Sequence, residues 1–232
     1  MQSTHQFTKK YFKKLPLGVV ILFILFAAAL ILFTYIMHEV LLEKEDAADN
    51  RIFSFLAAHV ISPGTTQFMK GVTYFASAPF FAFAYPALVL IYLFKKDWKR
   101  SVEIVVIGFG GFLVNYLIKL SFHRPRPDHP LIDKLNNFSF PSGHATSAFI
   151  FYGLLTYLIW KTKWPAILKY TAGFILISFA LLIGFSRVYL RVHYPSDVMA
   201  GFCIGFAWLI LVVWLFTRLK KKTDAETQLN TG

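Results

Sequence analysis

The chain has 232 residues, 56% of them hydrophobic, and a mean hydropathy of +0.55, well beyond the apolar share of an ordinary soluble domain. Its 24 Lys and Arg against 12 Asp and Glu give a net charge of +12, but these cations fall between apolar runs, which marks membrane topology and not a nucleic-acid surface. The lone cysteine, Cys203, excludes an intrachain disulfide and a multi-cysteine metal site.

In chain order, a basic stretch with Lys9, Lys10, Lys13 and Lys14 precedes the apolar run Leu17–Met37. That run is too long for a signal-peptide core and reads as an uncleaved spanning helix. A long connection over 38–71 follows. In it Asp49 or Asn50 can cap a short helix with an apolar face of Ile52, Phe53, Leu56 and Val60, either packed on the bundle or acting as a lipid-handling lip. Five further apolar runs follow: Val72–Phe94, Val102–Leu120, Thr146–Trp160, Ala166–Phe185 and Val198–Phe216. Gly108, Gly110 and Gly111 suit close helix packing. The last residues, 223–232, are polar and read as a disordered tail. The expected fold class is therefore all-α: a polytopic membrane protein with six transmembrane helices, forming a single membrane-embedded domain over 1–232.

Orientation follows from the loops. The N-terminal lysines of 1–14, then Lys95, Lys96, Lys99 and Arg100, then Lys161 and Lys163, then Arg218, Lys220, Lys221 and Lys222 share one side if there are six spans. The positive-inside rule makes that side, and both termini, cytoplasmic. The connections 38–71, 121–141 and 186–197 then face outward.

Against that rule, the last two outer connections and their helix ends hold Lys119, Arg124, Arg126, Arg187 and Arg191, with His144, His193 and Asp197. An ionisable cluster placed against topology and beside hydrocarbon needs a functional reason. Lys and Arg together suit a phosphate, one as a point charge and the other as a bidentate fork. Three patterns sharpen the reading. Lys119 ends the third span, and Pro125 and Pro127 hold Arg126 in a stiff loop. Pro141-Ser142-Gly143-His144 opens the fourth span; Ser142 can cap it and Gly143 lets an anion approach its N-terminus. His193 and Asp197 are four apart, so the carboxylate can hold one imidazole nitrogen and leave the other free to attack. Taken singly, each pattern also fits snorkelling cations or an ordinary helix cap. The only carboxylate in these patterns, Asp197, is committed to His193, so no pair is left for a metal and no cofactor is expected. Arg124 and Arg191 are extra cations, free to meet a second phosphate, an anionic headgroup or outer-leaflet lipid.

Together, in this order, the patterns resemble the type 2 phosphatidic acid phosphatase family: Lys-x6-Arg-Pro, Pro-Ser-Gly-His and Ser-Arg-x5-His-x3-Asp are all met between Lys119 and Asp197. The resemblance implies catalytic roles for His193 as nucleophile, Asp197 as its orienting partner and His144 as proton donor to the leaving group. It implies that Lys119, Arg126, Ser142, Gly143 and Arg187 bind the phosphate. The expected activity is hydrolysis of a lipid phosphate through a phosphohistidine, the substrate being phosphatidylglycerophosphate, undecaprenyl diphosphate or phosphatidate. The expected place is the cell membrane, with the active site on the extracytoplasmic side and lipids as the partners. A phosphotransferase of the same fold and a membrane transporter are the competing readings. Transport sites gather near the midplane, whereas these polar residues gather at one surface.

Overall fold

Hydrocarbon leaves backbone N–H and C=O groups no partner but each other, so every long apolar run closes on itself as a helix. The computed structural model describes residues 17–43 and 46–230, with side chains as far as Lys220; the basic segment 1–14 lies outside them. Among the described residues there are eight α-helices and no strand. They are α1 (Leu17–Met37), which runs on into a π-helical turn His38–Leu42, α2 (Ala47–His59), α3 (Pro63–Tyr74), α4 (Ala78–Phe94), α5 (Trp98–Ser121), α6 (Gly143–Trp160), α7 (Ala166–Tyr189) and α8 (Pro195–Asn230).

Four helices, α1, α5, α7 and α8, are long and apolar enough to cross a membrane. The pair α3 and α4 adds a fifth span if its bend of 41° is taken within one crossing. This corrects the expectation of an unbroken helix over 72–94. Ser77 accepts from the Phe80 N–H, with Pro79 behind it, and so starts a new helix inside the apolar run. The tail differs as well: disorder was expected over 223–232, and in its described part α8 continues to Asn230. Ala225, Glu226, Gln228 and Leu229 are good helix formers, and extending a helix that is already nucleated is easy.

The enclosed element is α6, which packs against α5, α7 and α8. Ala148, Phe151 and Tyr152 join Ala180 and Ile183 of α7 on one side. Ile150, Leu154 and Leu158 join Ile104 and Ile107 of α5 and Val212 of α8 on the other. Two glycines set the α6–α8 crossing. A Cβ on Gly201 would lie 2.7 Å from the Ser142 carbonyl oxygen, and one on Gly205 would lie 2.9 Å from that of Thr146. This close approach lets the Ser142 N–H donate to the Asp197 carbonyl at 3.0 Å, stitching the two helix starts together. As expected, Gly108, Gly110 and Gly111 admit large neighbours, Tyr85 for the first, Trp208 for the second, and Ile150 with Trp208 for the third.

The ends of the bundle differ in charge. At one, Lys99, Arg100, Lys161 and Lys220 surround a cavity of about 500 Å³. Beside it Arg100 donates to Glu103 and, at 2.9 Å, to the Tyr157 hydroxyl. At the other end the last turns of α5 and α7 meet the first turns of α6 and α8.

Candidate active site

Each site residue is delivered by a helix end or a loop pinned to one. Lys119 sits in the last turn of α5 and donates to the Phe138 carbonyl at 2.9 Å. The Ser142 hydroxyl caps α6 by accepting from the Ala145 N–H. Gly143 follows, and a Cβ there would come within 3.3 Å of the Asn115 amide nitrogen. Arg187 is in the last turn of α7 and Asp197 in the first turn of α8. Between them Arg191 takes a left-handed φ of 53°. That turn lets the Val192 and His193 N–H groups both donate to the Arg187 carbonyl and directs the His193 ring inward, to 2% exposure.

The two ring nitrogens of His193 face different surroundings. Nδ1 lies 3.6 Å from Asp197 Oδ2 and 3.4 Å from the Ser139 hydroxyl. Ser139 in turn donates to Asp197 Oδ2, as does the Tyr194 N–H at 2.9 Å. Nε2 lies 3.1 Å from Arg126 Nη1. Arginine only donates, so Nε2 is the acceptor and the imidazole proton belongs on Nδ1. Burial pushes the His193 pKa down to about 3, reinforced by Arg126 and Arg187 and opposed by Asp197. The ring is neutral at physiological pH, and its Nε2 lone pair points toward Arg126.

Arg126 is held by main-chain carbonyls of Asn137, Phe138 and Val192, together with the Asn137 side chain. Burial lowers its pKa against the pull of Asp197. Arg187 is 3% exposed. It donates to the Thr73 hydroxyl at 2.8 Å, while its Nε is buried without a partner. That leaves a buried donor unmet at this end of the bundle. His144 is half-buried and within electrostatic reach of Arg187, His193, Arg126 and Lys119. The eight residues expected at the site, His193, His144, Asp197, Lys119, Arg126, Ser142, Gly143 and Arg187, are thus brought to one end of the bundle. Ser142 comes as a helix cap with no exposed surface.

The two extra arginines go elsewhere. Arg124 is 6% exposed, so it meets no headgroup. It donates to Asp197 Oδ1 at 2.6 Å, to Asp49 Oδ2 at 2.9 Å, to Ser196 at 2.9 Å and to Asp46. Its guanidinium also lies 3.8 Å from the centre of the Tyr194 ring. Burial opposes its charge, but Asp197, Asp49 and Asp46 outweigh that and raise its pKa. Arg191 lies over the Phe53 ring of α2, 5.2 Å from its centre. In α2 itself Asp49 is not a cap; it is buried against Arg124 and Ser196. Phe53 and Leu56 pack on Ala145, Val188 and Val198, while Ile52 points outward. The segment is a helix packed on the bundle through one face.

Sequence reading missed Ser139, Asn115, Asn137 and Thr73. Asn115 had a signal: it is a polar residue inside an apolar run, one turn before Lys119 on the same helix face. Its Oδ1 accepts from Thr146 at 3.1 Å. The others reach the site only through the fold.

Three comparisons bear on this arrangement. The PAP2 superfamily pattern matches residues 102–221. Phosphatidylglycerophosphatase B of Bacillus subtilis is 29% identical over 212 residues, covering 89% of this chain and 97% of that one. Undecaprenyl-diphosphatase BcrC of the same organism is 33% identical, over 56% of this chain and 64% of its own. The crystal structure of the Bacillus subtilis PAP2-type phosphatidylglycerolphosphate phosphatase superposes with a TM-score of 0.73 at 27% identity, covering 83% of this chain and 96% of that one.

Proposed function

The chain belongs to the PAP2 superfamily, and on that premise we propose that it is a membrane lipid phosphatase with His193 as its nucleophile. The observation that carries this is the orientation of His193: Nδ1 faces Asp197, while Nε2 faces Arg126. Nε2 attacks phosphorus, and the bond from phosphorus to the lipid oxygen breaks. Asp197 stabilises the positive charge that grows on the ring and keeps the proton on Nδ1. His144 gives its proton to the departing alkoxide, then takes one from the water that breaks the P–Nε2 bond and releases phosphate. Lys119, Arg126 and Arg187, with Ser142 and Gly143 at the start of α6, bind the phosphoryl oxygens. Fixed cations and a helix N-terminus supply charge stabilisation without reorganising during the reaction. Both oxygens of Asp197 are engaged, Oδ1 by Arg124 and Oδ2 by Ser139 and Tyr194. That supports a metal-independent reaction.

The protein is a multi-pass membrane protein, and six crossings are the reading we favour. The four long helices and the bent pair make five, and α6 makes the sixth. At 18 residues, α6 spans about 27 Å, close to the hydrocarbon thickness. Cations at the end away from the site support cytoplasmic termini and an extracytoplasmic active site. The substrate is a lipid phosphate such as phosphatidylglycerophosphate, undecaprenyl diphosphate or phosphatidate. An apolar cavity of about 640 Å³ between α4, α5 and α6 suits its tail; Phe81, Pro86, Phe109 and Ile150 line it, with Ser147 one turn from His144.

The test is phosphate release by the purified full chain in detergent, with EDTA present, from these three lipids and a water-soluble phosphate ester. We expect turnover of at least one lipid, with kcat/KM for the soluble ester at least tenfold lower. Folded protein that releases phosphate from none of the lipids would sink the assignment. Activity that needs added Mg²⁺ would overturn the metal-independent step.

A further inference from the structure

We infer that Asp49, with Asp46, acts through Arg124 to position Asp197 and so aim His193, which makes α2 a working part of the active site. This rests on the phosphatase reading above.

The geometry supplies two routes from Asp49 to Asp197. Along the first, Asp49 Oδ2 accepts from Arg124 Nη2, and the same guanidinium donates through Nη1 to Asp197 Oδ1 at 2.6 Å. Oδ1 is thereby occupied, which leaves Oδ2 for Ser139, the Tyr194 N–H and His193 Nδ1. Turning the carboxylate away from His193 would require breaking that bond. Along the second, Asp49 accepts from the backbone N–H of Ser196 at 2.9 Å and from its hydroxyl. Ser196 immediately precedes Asp197, so this fixes the backbone that carries the carboxylate. Asp46 takes the remaining side of Arg124 but is more open, its side chain 41% exposed, and is the weaker member.

The charges fit the same role. One arginine serves three carboxylates, and two of them, Asp49 and Asp197, are buried. Stapling a loop helix to the bundle needs only one pair, and surplus buried charge is costly. A net negative group behind His193 is useful when the ring becomes cationic during attack. Arg124 meanwhile donates to Asp197 Oδ1, which holds the carboxylate in place to orient the Nδ1 proton. A guanidinium suits this because its planar fork holds several carboxylates in fixed directions, whereas a lysine ammonium is a point charge with freely rotating donors.

The experiment uses the full chain in detergent with a lipid phosphate it turns over. Active sites are counted by trapping radiolabelled phosphohistidine with an alkaline quench, so that kcat is expressed per working site. Asp49→Asn keeps the shape and removes one charge. We expect its kcat to fall about tenfold or more, toward the 10²-fold cost of small misplacements at a reaction centre, with KM within about twofold of wild type. Arg124→Lys, which keeps the cation and loses the fork, should fall between wild type and Arg124→Gln, and Asp46→Asn should show the smallest loss. If Arg124→Gln, which strands three carboxylates, does not fold, the Asp49→Asn and Arg124→Lys arms decide. An unchanged kcat per site with lower thermal stability would reduce the network to a structural staple and overturn the inference. So would a loss confined to KM, which would make Arg124 a headgroup contact. A wild-type chain that releases no lipid phosphate would overturn the phosphatase reading itself, whereas an active wild type with an unimpaired Asp49→Asn sinks only the role of α2.

Discussion

Arg124 and Arg126 stand in one loop, each followed by proline, and end on opposite faces of His193. Behind Nδ1, Arg124 meets carboxylates, and its charge is neutralised where it stands. In front of Nε2, Arg126 is held by carbonyls that carry no net charge. Among the described residues no carboxylate forms an ion pair with it, nor with Lys119 on the Phe138 carbonyl or Arg187 on the Thr73 hydroxyl. The type of partner thus separates two jobs for one kind of side chain. Carboxylate partners make a frame behind the histidine, and neutral partners leave the cations that we propose receive the phosphate.

The contrast breaks most completely at its centre. His193→Ala should abolish lipid hydrolysis and trap no phosphohistidine. His144→Ala should lose roughly 10²–10⁴-fold, the worth of general acid help, yet keep a burst with a nitrophenyl ester whose leaving group needs no proton. If His144→Ala fails to trap phosphate and His193→Ala succeeds, the two histidines exchange roles. Next come the front-face cations. Arg126→Gln and Arg187→Gln should each cost on the order of 10²–10³-fold in kcat/KM and weaken inhibition by orthovanadate. Vanadate inhibition that survives both changes would remove these arginines from the phosphate site.

The smallest effect sharpens the account of the buried face. His193 is held near pKa 3 by burial, against about 6.5 in an unfolded chain. Its neutral form therefore contributes fully to stability above about pH 6.5, and the contribution is lost as pH falls toward 3. Each pH unit in that window weighs up to about tenfold against the folded state. Between pH 6.5 and 4.5 the melting temperature should drop more steeply for wild type than for His193→Gln. Parallel slopes would show that burial of this ring does not govern the acid response.

Much of this was legible in the chain. Apolar run length located α1, α5, α6 and α7 and the start of α8 to within a few residues, and the polar patterns at helix ends picked out the candidate site residues. The break between α3 and α4 was not legible, because Phe75, Ala76 and Ser77 keep the run apolar enough to pass as one helix while Ser77 serves as a cap. Within the site, spacing picked Arg126 over Arg124, yet it could not say what Arg124 does. That depends on Asp46 and Asp49, far back in the sequence, and on a helix whose packing the local pattern does not specify. Ser139 was hidden for the same reason: a serine in a loop acquires meaning only when the fold sets it between His193 and Asp197.

The apolar cavity proposed to hold the lipid tail has two kinds of wall. Gly108, Phe109 and Ile150 belong to α5 and α6, inside the stretch 102–221 that carries the family pattern; Ala78, Phe81 and Pro86 belong to α4, outside it. The α4 wall touches none of the groups that do the chemistry, so mutation can reshape it at little cost to the reaction. If this cavity receives the tail, remodelling α4 alone would change which lipids are accepted, and exchanging that helix between relatives should transplant substrate preference.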